Sequence, residues 1–165
     1  MPEKRTIEKA KADKRAGKSA STQAGEFVRE EIDRIRRGEH GARSPAQAIA
    51  IGLSEARRAG VKLPPPKKGK TSERTRRNAG LAYEAGQHER TPARRPGASK
   101  RALDALKREP RNTASHEALS SQAKSAAARR SKSERSAAAK KAGRTKGAGG
   151  RSSAAKKAAR ARAGR

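Results

Sequence analysis

The chain has 165 residues and a formal net charge of +28, and only 31% of its residues are hydrophobic. Low hydrophobicity with high net charge leaves too little apolar surface to offset the conformational entropy lost on folding, which excludes a large core. The chain has no cysteine, which excludes disulfides, thiolate nucleophiles and cysteine zinc sites, and no apolar run approaches the ~18 residues needed to span a bilayer.

The first 20 residues, "MPEKRTIEKAKADKRAGKSA", are predicted to form a basic N-terminal arm with at most a nascent helix. The segment has no hydrophobic region, so it does not match a secretory signal. We therefore expect a soluble cytoplasmic protein that makes no membrane contact.

Residues 21–63 are predicted to form a helical hairpin. In its first helix, Ser21 or Thr22 is the expected N-cap and Gly38 the expected stop. Glu31 falls on the otherwise apolar face of this helix. That face consists of Ala24, Phe27, Val28, Ile32 and Ile35.

The second helix of the hairpin is predicted over "SPAQAIAIGLSEARRAG". Ser44 is the expected N-cap, Pro45 suits the first helical position, and Gln47 completes a capping box. Gly60 followed by the apolar Val61 predicts a Schellman stop. The apolar face of this helix consists of Ala48, Ile49, Gly52, Leu53, Ala56 and Ala59.

A hairpin of about 40 residues usually cannot hold a stable core alone. Ile51 also falls on the otherwise polar side of the second helix. We therefore expect the hairpin to form a homo-oligomer or to bind a protein partner. Its predicted packing residues are Phe27, Val28, Ile32, Ile35, Ile49, Leu53 and Ala56.

Two further segments follow the hairpin. Residues 64–70, "PPPKKGK", are predicted to form a stiff Pro/Lys spacer. Residues 71–114 are predicted to contain short helices and loops, with Thr71 or Ser72 and then Ser99 as caps.

Residues 115–165 are predicted to form an Ala/Lys/Arg-rich basic tail that is largely disordered or marginally helical in water. From Ala118 onward, the sequence has 15 Lys and Arg residues and a single acidic residue, Glu134. A run of like charge favours a polyanion as partner. The predicted nucleic-acid-binding residues are Lys124, Arg129, Arg130, Lys132, Arg135, Lys140, Lys141, Arg144, Lys146, Arg151, Lys156, Lys157, Arg160 and Arg162.

No pattern predicts catalysis, a metal or a cofactor. The histidines, His40, His88 and His116, lie in separate charged segments and are expected to be exposed to solvent. A phosphate-binding P-loop motif is absent from the sequence. We therefore expect a protein that is not an enzyme.

A helix-turn-helix that reads DNA sequence is one alternative. Gln47, Ser54, Arg57 and Arg58 would then be the reading side chains. Against this, the connection of about six residues exceeds the usual turn of about 3–4 residues, and the sequence shows no obvious third helix to support the pair.

Contact with phosphates is the mechanism that the sequence favours. The chain has one Phe, one Tyr and no Trp, which excludes aromatic platforms for stacking bases. Lys and Arg on a flexible chain bind the backbone of DNA or RNA without sequence preference. Composition leaves open whether the partner is DNA or RNA, and whether the hairpin is instead a protein adaptor.

Two segments of the sequence resemble known protein families. The segment "QAIAIGLSEARRAGVKLPPP", with "EFVREEIDRIRRGEHGARS" before it, resembles a domain of unknown function found in small basic bacterial proteins. This resemblance implies a bacterial source. The tail is similar in composition to bacterial histone H1-like nucleoid proteins, which implies a DNA-binding protein of the nucleoid.

Overall fold

The computed structural model describes residues 2–87, 98–144 and 160, and it confirms the predicted mostly α-helical fold. The described part of the chain contains no strand. Its contacts divide the chain into two units, Met1–Gln122 and Ala123–Arg165. The helices are α1 (Lys4–Arg15), α2 (Ala20–Arg37), α3 (Pro45–Arg58), α4 (Glu73–Gln87), α5 (Ala98–Lys107), α6 (His116–Ala128) and α7 (132–144), with a 3-10 turn at Asn112–Ala114.

The predicted signals at both ends of α3 are confirmed except for the second half of the capping box, because Gln47 Oε1 accepts from the Arg43 N–H and not from that of Ser44. The Ser44 hydroxyl accepts a hydrogen bond from the Gln47 backbone N–H at 3.2 Å, and Pro45 occupies the first turn. Gly60 has a φ of 87°, and the Val61 N–H donates to the Ala56 carbonyl at 3.1 Å. This is the Schellman arrangement, which only a residue without a Cβ adopts at low cost.

The predicted start of α2 is wrong by two to three residues. Ser19, and not Ser21 or Thr22, is the N-cap, and its hydroxyl accepts from the Thr22 N–H at 3.4 Å. Gly17, at a φ of 68°, turns the chain after α1, so α2 begins as soon as this turn is complete. Gly38 ends α2 in the left-handed conformation, as predicted.

Residues 1–20 are not a free arm, because α1 packs against α2 as a third helix. Thr6 and Ala10 are buried, and Ile7 packs on the same core. The Glu3 backbone N–H donates to Glu30 Oε1 at 2.9 Å. The sequence prediction missed this helix because its buried face is made mainly of small or polar residues, which leave a weak apolar pattern.

The core consists of two small clusters. The first lies where α1, α2 and α3 meet, and its buried members are Ala10, Ala24, Phe27, Ala56 and Val61. The second lies at the other end of the α2–α3 pair, and its buried members are Ile35, Ala42, Ala48 and Ala114. Most of these side chains are alanine, so the helices approach closely while burying little apolar area.

Of the segment predicted as short helices and loops, α4 and the 3-10 turn pack on the hairpin. Helix α4 packs against α3, with Ala79 and Ala82 buried. Ser72 caps α4 by accepting from the Thr75 N–H at 3.2 Å. The predicted cap Ser99 is wrong, because it lies inside α5.

Backbone contacts join the C-terminal end of α5 and the segment after it to the connection between α2 and α3. The Gly41 N–H donates to the Leu106 carbonyl at 2.9 Å, and the Ala42 N–H donates to the Pro110 carbonyl at 3.0 Å. A Cβ at Gly41 would collide with the Glu109 carbonyl, so this approach requires glycine. The hairpin of residues 21–63 is therefore part of a larger folded unit, and the fold is completed by contacts distant in sequence.

Candidate functional site

The predicted nucleic-acid-binding residues that the structure describes are all exposed. They are Lys124, Arg129, Arg130, Lys132, Arg135, Lys140, Lys141, Arg144 and Arg160. Lys146, Arg151, Lys156, Lys157 and Arg162 lie outside the described residues. Helix α6 buries none of its residues, and every residue of α7 is exposed except the half-buried Gly143. These two helices therefore display cations without contributing to a core.

A capping box organises the start of α7. The Glu134 backbone N–H donates to Ser131 Oγ at 3.2 Å, and Glu134 Oε2 accepts from the Ser131 backbone N–H at 2.9 Å. The only acidic residue after Ala118 thus serves a helix end. The sequence prediction missed this role, although the S-x-x-E spacing of "SKSE" is its ordinary signal.

The two aromatic side chains of the chain differ in how far they are buried. Phe27 is fully buried and Tyr83 is half-buried, both within the unit Met1–Gln122. Neither α6 nor the basic helix α7 therefore carries an aromatic side chain on which a base would stack. Their chemistry is limited to charge and hydrogen bonding.

A buried ionic cluster joins α2, α3 and the connection between them. Arg34 is at its centre, with Nη2 at 2.6 Å from Glu30 Oε1 and Nη1 at 3.2 Å from Glu55 Oε1. Its Nη1 lies 3.8 Å from Glu31 Oε2, and His40 Nε2 lies 3.6 Å from the same oxygen. One guanidinium thus faces three carboxylates inside a small helical protein.

Glu31 is the most constrained member of this cluster. Its side chain is 0% exposed, and neither carboxylate oxygen has a hydrogen-bond partner among the described residues. Burial raises the pKa of Glu31 to about 7, although His40 and Arg34 act to lower it. Glu55 and Glu30 add to the increase by repulsion. The position that seemed to interrupt an apolar face is therefore a buried carboxyl.

The expected exposure of the histidines is wrong for His40, which is only 7% exposed. Its Nδ1 lies 3.1 Å from the Gly41 carbonyl, and its Nε2 faces Glu31. His116 is exposed as expected, and His88 lies outside the described residues. The residues next to His40 in the sequence do not signal this burial, because its partner Glu31 lies in α2, outside the connection that contains His40.

No metal-binding group of three or more His, Cys, Asp or Glu residues occurs in the part of the chain that the structure describes. Glu31 and His40 are too buried to meet a substrate at the surface. The cluster therefore acts on the fold, since it ties α2 to α3 and to their connection by charge.

The structure removes two of the four proposed DNA-reading side chains from that role. Gln47 Oε1 accepts from the Arg43 N–H at 2.7 Å. Arg57 is 7% exposed and donates to the Leu63 and Pro64 carbonyls at 3.0 and 3.4 Å, and its burial lowers its pKa. The expectation that no third helix supports the pair is also wrong, because α1 packs on α2 and α4 on α3.

The predicted packing residues fall into two groups. Phe27, Ile35 and Ala56 are fully buried, whereas Val28, Ile32, Ile49 and Leu53 are half-buried. Ile49 and Leu53 line a groove of about 1220 Å³. The groove lies between α3, α4 and the prolines of residues 64–66, which we call the proline segment. We call this feature the α3–α4 groove.

No helix within the described ranges is long and apolar enough to cross a membrane. Comparison with curated proteins and with solved structures found no match. A model of a family of unknown function (DUF6496) matches residues 11–68, from the C-terminal part of α1 through α2 and α3 to the proline segment. These residues, which include the buried ionic cluster but not the basic tail, are thus similar to that family of unknown function.

Proposed function

We propose that the protein binds nucleic acid without sequence specificity, and that its main partner is the phosphate backbone of DNA. The supporting observation is the display of Lys and Arg from Lys124 of α6, through the turn at Arg129 and Arg130, to the end of α7, where every described basic side chain is exposed. The single acidic residue after Ala118, Glu134, is held in the cap of α7. A surface of this kind repels itself until a polyanion neutralises it.

Binding of this kind is driven by the release of condensed counterions. Each phosphate that a Lys or Arg neutralises contributes about −0.9 to the slope of log K against log salt on duplex DNA. Arg side chains also enter narrow minor grooves, where the negative potential is enhanced. The affinity then depends steeply on salt and little on sequence.

The unit Met1–Gln122 has a different role in this proposal. We infer that it is a docking or oligomerising module that sets how many tails act together, while the tail supplies affinity for DNA. Linked binding modules gain affinity through effective concentration, without any new contact. The protein would then lie in the cytoplasm of a bacterial cell, on the nucleoid, and would act without enzymatic activity.

Salt-dependent binding to a DNA duplex tests the role of the tail. In one variant Lys124, Arg129, Arg130, Lys132 and Arg135 are changed to Gln. In the control, Lys4, Arg5, Lys11, Lys14 and Arg15, which are all exposed on α1, are changed to Gln. Both variants lose the same charge. We expect the magnitude of the slope of log K against log salt to decrease by about 3–5 in the tail variant and by much less in the control. Equal losses would contradict the assignment to the tail.

Nuclease treatment of lysates separates DNA from RNA as the partner. Release of the protein by DNase and not by RNase supports the proposal. Release by RNase alone would indicate an RNA- or ribosome-associated protein. A specific protein that co-purifies after both treatments, and only when residues 22–63 are present, would indicate an adaptor.

A further inference from the structure

The α3–α4 groove is a mainly apolar depression, and two of its lining residues, Leu53 and Leu63, also pack against the first core cluster. Its floor and walls include Ile49, Ile51, Leu53, Leu63 and Leu81. Its volume of about 1220 Å³ exceeds the roughly 300–1,000 Å³ of ordinary small-molecule pockets. The groove therefore has the size and the lining of a site for a peptide segment.

Two of these side chains have no explanation in the fold. Leu81 is 58% exposed, the largest exposure of any large hydrophobic residue in the described part of the chain. Ile51 lies on the otherwise polar side of α3 and is half-buried along the groove. One exposed and several half-buried hydrophobic side chains thus line the same surface, and contiguous apolar surface is typical of interaction sites.

Basic residues outnumber acidic ones in the segments that line the groove. Arg58 lines it, and the exposed Lys62, Lys67 and Lys68 flank the wall residues Leu63 and Pro66. On the other wall, the exposed Arg74 and Arg77 flank Thr75 and Asn78, which line the groove.

Two acidic residues of the segments that line the groove, Glu55 and Glu73, are already engaged within the fold. Glu55 lies 3.2 Å from Arg34 Nη1, and Glu73 is hydrogen-bonded to the guanidinium of Arg76. An occupant of the groove therefore meets an apolar floor inside a basic border. Charge complementarity favours a partner with acidic flanks.

One wall of the groove is held in place before any partner arrives. The buried Arg57 donates to the Leu63 and Pro64 carbonyls, which pins the proline segment to α3. The prolines restrict this segment further, since their rings fix φ. A preformed wall reduces the entropy that is lost on binding.

We propose that the α3–α4 groove binds an acidic amphipathic helix of a partner protein. Apolar side chains at positions i, i+3, i+4 and i+7 of that helix would lie on the groove floor, and its Glu and Asp residues would face the basic rim. A second copy of this chain fits less well, because it would bring a second basic rim against the first. Nucleic acid also fits less well, because none of the described residues that line the groove is aromatic. The proposal stands independently of DNA binding by the tail.

Binding of synthetic peptides to the full chain tests the proposal. The probe is a fluorescent helical peptide with Leu at i, i+3, i+4 and i+7 and with Glu at the remaining exposed positions. A scrambled peptide of identical composition measures attraction to the basic tail alone. We expect the helical peptide to bind about tenfold or more tightly than the scrambled one. Equal affinities would overturn the proposal.

Substitutions then locate the site. Leu81→Asp and Ile51→Asp are expected to remove the preference for the helical peptide. Leu103→Asp is the matched control, since Leu103 is 43% exposed on α5 and does not line the groove. Unchanged thermal unfolding of Leu81→Asp would show that the loss is local. A preference that survives Leu81→Asp, or that is lost equally in Leu103→Asp, would overturn the assignment.

Two other occupants are tested on the same samples. If sedimentation shows a dimer that Leu81→Asp converts to a monomer, the groove holds a second copy and the proposal is wrong. If a DNA duplex displaces the helical peptide and Leu81→Asp weakens the duplex, the groove binds nucleic acid and the proposal is again wrong. Neither result would remove the salt dependence assigned to the tail.

Discussion

Gly52 on α3 packs directly against the backbone of Val28 on α2. A Cβ at Gly52 would lie 2.7 Å from the Val28 Cα, and it would also lie 3.0 Å from the Phe27 carbonyl oxygen. Both are backbone atoms of a helix, so neither can move aside as the end of a flexible side chain could. The close approach of the two helices at this point therefore depends on the absence of a side chain at position 52.

Gly52→Ala is expected to destabilise the protein although Ala is the better helix former. Overpacking of this kind costs about 1–3 kcal/mol, which exceeds the ~1 kcal/mol gained in helix propensity. Gly25→Ala is the control, because Gly25 is also helical and a Cβ there would meet nothing within 4 Å. Urea unfolding is expected to show a loss for the first variant and a gain for the second. A gain for both would mean that the helices separate easily.

The stability of the protein is expected to fall as the pH rises through the titration of Glu31. Burial raises its pKa from 4.5 to about 7, so the folded state retains a proton that the unfolded state has already released. The stability due to this protonated form is complete below pH 4.5 and is lost as the pH passes about 7. A shift of this size corresponds to about 3 kcal/mol at most.

Glu31→Gln tests this dependence, because Gln keeps the shape and removes the titration. The difference in unfolding free energy between the variant and the natural protein is expected to grow in favour of the variant from about pH 5 to about pH 8. The groups that face this position are His40, Arg34, Glu55 and Glu30, and all are retained. Parallel stability curves for the two proteins would show that Glu31 does not titrate in this range.

Ser44→Ala is expected to cost about 1 kcal/mol of stability, because it removes the acceptor for the Gln47 N–H at the start of α3. Ser131→Ala removes a cap of the same length, 3.2 Å, at the start of α7. That helix buries no side chain among its described residues, so cooperative unfolding of the helical unit should not change. Thermal unfolding followed by circular dichroism compares the two variants. A similar loss in both would indicate that α7 contributes to the same cooperative unit.

Ala10→Asp is expected to detach α1 and to destabilise the first core cluster by a few kcal/mol, about the cost of burying an unpaired charge. Ala10 is 4% exposed and contacts the cluster that contains Phe27. Ala12→Asp, at an exposed position of the same helix, is the control. Protease sensitivity within residues 4–15 should rise in the first variant only. Equal behaviour of the two variants would contradict the docking of α1.

The prediction of α3 succeeded because its signals are local. Ser44, Pro45, Gly60 and Val61 each act on a backbone group within a few residues, so the helix and its limits can be read from the sequence. The signal for the exposed cations of the tail is equally local. A segment with few large apolar residues cannot form a core, so its Lys and Arg side chains stay at the surface. The capping box of Ser131 and Glu134 is signalled just as locally, by the S-x-x-E spacing at the start of α7.

The sequence by itself thus determined the helical class, the limits of α3 and the basic character of the tail. Only the tertiary structure decided that α1 and α4 complete the unit, that Glu31 and His40 meet inside it, and that Leu81 and Ile51 share a groove. The physical reason is that alanine-rich contacts and charge pairs carry almost no periodic signal. They depend on how closely backbones that are distant in the chain approach each other, as at Gly52 and Val28.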